Sequence, residues 1–170
     1  QAAEGGGTDI VRAYLQQLER DGVVQRTAKG YKLAAPATPP VDPRQMISPA
    51  KTEPKKQMWL RARGKVDAND YALQQCLLAY ASDMGILDTS TKPHGVNWFT
   101  GGVQMASLDH SMWFHEPFDI SDWLLYTMDS PSASGARGFN RGEVFTEAGK
   151  LVASVTQEGL MRPREPKFKN

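Results

Sequence analysis

The chain has 170 residues, 40 % hydrophobic and 23 % charged, with a formal net charge of +1, which suits one globular domain with at most a small appendage. Its one cysteine, Cys76, excludes an intrachain disulfide and points to a reducing compartment: the cytoplasm, with the peroxisome or mitochondrion as alternatives. No apolar run is long enough to cross a bilayer, and neither a secretory signal pattern nor a C-terminal S-K-L ending is present. A first residue of glutamine rather than methionine suggests a fragment or a processed chain. The near-zero charge hides a split, because residues 1–66 carry 12 basic and 6 acidic side chains while residues 67–170 carry 8 and 13. Such an asymmetry fits either a nucleic-acid-binding arm or a solvated basic linker ahead of an acidic domain.

In chain order, residues 1–7 are small and flexible in composition. A helix is expected from Thr8 or Asp9, both good N-caps, with Ile10, Tyr14, Leu15 and Leu18 forming an apolar stripe and Gly22 as the stop. Residues 23–27 and 31–33 read as two short strands joined by a turn at Ala28-Lys29-Gly30. A helix followed by a basic hairpin is the second half of a winged helix, so residues 1–34 form a candidate small unit. The bland alternative is a helix and hairpin that pack beside the main domain. Residues 35–57 hold prolines 36, 39, 40, 43, 49 and 54, which fix φ and remove backbone donors, so an extended linker is expected.

Residues 58–170 change character. Residues 58–66 read as a strand. Asp70 opens a helix through Tyr71, Leu73, Gln74, Leu77, Leu78 and Tyr80 that is apolar on most sides and therefore expected to be buried, ending near Asp83-Met84-Gly85. Cys76 within it is expected to be a buried small apolar residue. A loop with Pro93 and Gly95 follows, and then four strand candidates at 104–115, 123–130, 138–146 and 151–161. The last two are joined by the turn Glu147-Ala148-Gly149-Lys150. One strand, one helix and a run of antiparallel strands predict an α+β domain, with the sheet wrapped around the helix that covers its apolar face.

The blocks CLLAYASDMGIL, TKPHGV, QMASLDHSMWFHEPF, DWLLYTMDSPSASGARGFNRGEVFT and GKLVASVTQEGLMR, in this order, resemble the C-terminal hotdog domain of the acyl-CoA thioesterase II family over about residues 40–170. The short stretch LQQLERDGVVQRTAKGYKL separately resembles a winged-helix piece of the ribosomal protein S19e family. The first resemblance implies a hotdog fold, hydrolysis of acyl-CoA to free fatty acid and CoA, no cofactor and no metal. It also implies a catalytic Asp, Ser or Thr, and Gln around a water, which fall here on Asp83, Ser107 and Gln157. That family carries two hotdogs in one polypeptide, and residues 1–57 hold no counterpart of the first. A homodimer, or pairing with a separate hotdog domain, is therefore expected. The alternative function is a non-enzymatic hotdog that senses acyl-CoA beside a nucleic-acid-binding N-terminal segment.

The chemistry also stands on its own terms. Asp can take a proton from water, Ser can both donate and accept, and a Gln amide can orient water or polarise a carbonyl. Simple alternation places Ser107 on one strand face with Asp109 and Ser111, and Gln157 in an apolar row with Val155 and Ala153, where it needs a polar partner. Taken singly, Asp83 reads as a helix-end turn former and Ser107 and Gln157 as ordinary strand residues. Asp109 and His110 are adjacent and expected to face opposite ways, as are His110 and His115, which argues against a metal pair. A histidine–acid pair, which a dehydratase reading needs, is likewise not expected across the site. Ser132 and Ser134 lie in a bend or bulge rather than a nucleophile elbow. Arg137 and Arg141 are either CoA-phosphate contacts or solvated charges.

Overall fold

The computed structural model describes residues 24–27, 30–33, 49–98 and 102–164. Strands β1 (Val24–Thr27) and β2 (Gly30–Leu33) pair antiparallel, Thr27 opposite Gly30, as the hairpin expected there. The helix expected from Thr8 or Asp9, and most of the proline-rich linker, lie outside the described residues.

The main unit is a six-stranded antiparallel sheet. Strand β3 (Lys55–Leu60) lies at one edge, followed by β6 (Leu124–Ser134), β7 (Arg137–Thr146) and β8 (Leu151–Pro163). Strands β4 (Val103–Ser107) and β5 (Ser111–Phe114) both pair with the far side of β8. Helix α1 (Tyr71–Asp83) packs against this sheet, as the hotdog plan requires. Strand β3 begins three residues earlier than expected and stops at Leu60, where pairing with Leu124 ends. The loop around Pro93 contains a short helix α2 (Asp88–Thr91) and a 3₁₀ turn (Lys92–His94) that sequence periodicity did not show. Its buried residues are Thr89, Ser90 and Thr91, so the cue of an apolar face was absent.

Asp70 caps α1 by accepting a hydrogen bond from the Leu73 amide at 3.0 Å. At its other end Gly85 takes φ 84°, a left-handed conformation that a side chain would strain. The helix is not buried on most sides. It buries one stripe, Gln74, Leu78 and Ser82, spaced four residues apart, while Tyr71, Leu73 and Tyr80 are exposed and Cys76 is exposed rather than buried. One sheet face covers only one side of a helix, so the remaining apolar residues stay uncovered in a single hotdog. Gln74 is tolerated in the stripe because both ends of its amide are bonded, Nε2 to Asp67 O at 3.1 Å and Oε1 from the Ile120 amide at 2.7 Å.

The stripe meets Tyr126, Val144, Val152 and Val155 in the core. The Tyr126 ring approaches Gly142 closely, and an added Cβ there would come within 2.3 Å of it, so only glycine allows that approach. Strands β6 and β7 meet at a two-residue turn, Gly135 and Ala136, both with positive φ. The expected irregularity at SPSAS is a register shift between Asp129 and Ser132.

Candidate active site

Three elements converge at the C-terminal end of α1. Asp83 is the last residue of that helix, Ser107 the last residue of β4, and Gln157 lies midway along β8. Ser107 Oγ donates to Asp83 Oδ1 at 3.3 Å, and Gln157 Nε2 donates to Ser107 Oγ at 2.6 Å. The structure thus brings all three expected residues into one hydrogen-bonded chain. The Gln157 side chain is fully buried, while Asp83 retains 53 % of its side-chain exposure and Ser107 is exposed. One end of the chain is anchored in the core and the other is open to water.

The polarity of this chain follows from donor counting. A carboxylate can only accept, so the single Ser107 hydrogen points to Asp83. Ser107 Oγ must then accept from Gln157, so the amide nitrogen faces Ser107 and the amide oxygen faces away.

Simple alternation fails between β4 and β5. Ser107 stands opposite Gly159 and Ser111 opposite Thr156, so four steps on one strand match three on the other. The extra residue is a β-bulge, in which the amides of Leu108 and Asp109 both donate to Glu158 O, at 2.9 and 3.4 Å. Asp109 Oδ1 accepts from the Glu158 amide at 2.8 Å, so this acid holds the bulge rather than acting as a proton donor or acceptor in the site. The bulge reverses the phase of the strand. It places His110 opposite Gln157, on the face that Ser107 occupies.

His110 is therefore a site residue that alternation assigned elsewhere. Its Nδ1 lies 2.8 Å from Gln157 Oε1 and 3.9 Å from Asp83 Oδ1, and its Nε2 lies 2.8 Å from Ser82 Oγ. The expectation that no histidine meets an acid across the site is corrected by this approach to Asp83. The only sequence cue was the pair of adjacent polar residues Asp109 and His110, which a bulge can serve by using one for the backbone and one for the interior. His115, by contrast, faces outward and bonds Ser154 Oγ at 2.9 Å.

Behind the site, Tyr126 OH donates to Ser82 O at 3.1 Å, satisfying one of the carbonyls that a helix end leaves unpaired. Burial, then the nearby charges of Asp83 and Glu143, push the Tyr126 phenol well above its ordinary range, so it stays protonated and remains a donor. A cavity of about 1040 Å³ borders the helix end at Ala81 and Met84; Leu60, Arg61, Arg63 and Trp123 also line it. Arg137 pairs with Glu158 and Arg141 with Asp129. Among the described residues no cluster of three metal-ligating side chains occurs, and no helix is long and apolar enough to cross a membrane.

The family model for acyl-CoA thioesterases matches residues 36–160. The chain belongs to the acyl-CoA thioesterase family. It is 41 % identical over 123 residues to human acyl-coenzyme A thioesterase 8, covering 72 % of this chain and 38 % of that one. It is also 41 % identical over 104 residues to acyl-CoA thioesterase 2 of Haemophilus influenzae, covering 61 % and 36 %. Among solved structures, the acyl-CoA thioesterase II TesB2 from Mycobacterium marinum superposes with a TM-score of 0.61 at 36 % identity, covering 78 % of this chain and 56 % of that one. This chain thus spans little more than a third of the curated relatives it matches and about half of the solved one. The hotdog fold expected from the resemblance is the fold observed.

Proposed function

We propose that this chain hydrolyses acyl-CoA thioesters to free fatty acid and CoA, with Asp83, Ser107 and Gln157 activating the attacking water. The observation that carries this reading is the continuous chain from a buried amide through an exposed hydroxyl to a half-exposed carboxylate. A water beside Asp83 adds its oxygen to the thioester carbonyl carbon and gives one proton to the carboxylate. Gln157 has a second N–H to steady the oxyanion, and Ser107 Oγ a second lone pair to accept from the water and orient it. Collapse of the tetrahedral intermediate breaks the carbon–sulfur bond, and the proton held by Asp83 passes to the leaving CoA sulfur. The products are a fatty acid and free CoA thiol, so atoms and charge balance. The cavity beside the helix end offers apolar and cationic groups together, the two kinds of contact that an acyl chain and a CoA phosphate need.

The active assembly in this reading contains a second hotdog, either another copy or a separate domain. Tyr80 on α1, Met84 at its C-cap and Leu108 at the bulge are large apolar side chains left exposed around the site, and Tyr71 is exposed at the far end of the helix. Sedimentation showing a stable monomer at micromolar concentration would argue against such pairing. A reducing compartment, the cytoplasm in the first instance, fits the exposed Cys76 thiol.

The test is incubation of the full chain with palmitoyl-CoA. Palmitate and CoA thiol should appear in equal amounts, and mass spectrometry of the quenched protein should show no acyl adduct on Ser107. Absence of thiol release, or a stoichiometric acyl-serine, would overturn the proposal.

A further inference from the structure

We infer that His110 is a positioning residue that sets which end of the Gln157 amide faces the reacting centre. This inference rests on the catalytic reading of Asp83, Ser107 and Gln157 given above. The two ends of a primary amide are nearly equal in size, so packing alone hardly distinguishes them. Yet the chemistry needs the nitrogen toward Ser107, because an oxygen there would take the Ser107 hydrogen away from Asp83. Something must therefore hold the other end as an acceptor. Gln157 is fully buried between Val155 and Gly159 on its strand face, and the group beside its Oε1 is His110 Nδ1 at 2.8 Å. With Oε1 accepting, Nδ1 carries the hydrogen.

The ring is itself held. Its Nε2 lies 2.8 Å from Ser82 Oγ, on the buried stripe of α1, so the imidazole is gripped at both nitrogens. Ser82 immediately precedes Asp83, which closes a loop of contacts running Ser82, His110, Gln157, Ser107 and Asp83. The bulge at Leu108 and Asp109 gives His110 this place. The same orientation signal is thereby carried from the helix, across the bulge, β8 and β4, and back to the end of the helix.

The test compares His110→Leu with His110→Asn in the full chain. The asparagine side-chain nitrogen can occupy the place of Nδ1 and donate to Gln157, whereas leucine cannot. On palmitoyl-CoA, His110→Leu should lower kcat about tenfold or more with KM within twofold, and His110→Asn should recover kcat to within about threefold of wild type. Equal kcat in wild type and His110→Leu, or no difference between the two variants, would overturn the assignment. The Gln157 side-chain NH₂ signal in ¹⁵N-labelled protein supplies a readout independent of turnover. Its shift should move in His110→Leu and return in His110→Asn, and an unmoved signal in His110→Leu would overturn the assignment even if the wild type proved inactive. Inactivity of the wild type with the expected NH₂ shifts would instead remove the proposed activity and leave the amide orientation standing.

Discussion

The two sides of the site are built differently. Strands β7 and β8 are regular through the site: Asn140 pairs with Gln157 and Gly142 with Val155, and all four residues are buried. On the other side, β4 and β5 form an interrupted edge with one extra residue, and Ser107 there is exposed. The regular side supplies a fixed reference, the buried Gln157 amide. The bulged side supplies reach, because it turns both Ser107 and His110 onto the same face although they are three residues apart. A strand without a bulge presents only one of them. The contrast teaches that the site uses the core for orientation and the irregular edge for access.

Several substitutions break or sharpen that contrast. On the regular side, Gln157→Leu removes the fixed donor and should lower kcat about a hundredfold to a thousandfold, read as thiol release from palmitoyl-CoA. At the edge, Ser107→Ala should cost about tenfold to a hundredfold in kcat and about 1–3 kcal/mol of stability, because it leaves the buried Gln157 Nε2 without the acceptor it has at 2.6 Å. Gly142→Ala drives a Cβ into the Tyr126 ring and should cost about 1–3 kcal/mol of stability in chemical denaturation. Its effect on turnover should follow only from the displacement of Tyr126. The smallest effect belongs to the bulge latch. Asp109→Ala frees the Glu158 amide and should lower kcat about threefold to tenfold by loosening His110. If Asp109→Ala proved as damaging as Gln157→Leu, the division between a rigid reference and a permissive edge would be wrong.

The order and type of the main elements were legible because long apolar alternations and strong punctuation marked them. Examples are the Asp70 cap, Gly85, and the turn before β8. Asp83 and Gln157 were legible through the family blocks and sit where regular structure puts them. What escaped was local. Composition alone makes the helix read as buried on most sides, whereas Tyr71 and Tyr80 are exposed, because a single hotdog has only one sheet face to offer it. Helix α2 escaped because it buries Thr89, Ser90 and Thr91 rather than an apolar stripe. His110 escaped because a bulge leaves no periodic mark. It is encoded in two amides sharing the Glu158 carbonyl and in one aspartate side chain replacing a strand bond.

The most direct test of the account is the turnover number of Asp83→Asn beside wild type, with melting temperatures measured on both. Asparagine keeps the shape and can still accept from Ser107, but it cannot take a proton from water. The account predicts about a thousandfold fall in kcat with an unchanged melting temperature. An Asp83→Asn variant that turns over palmitoyl-CoA within a few-fold of an active wild type would contradict it.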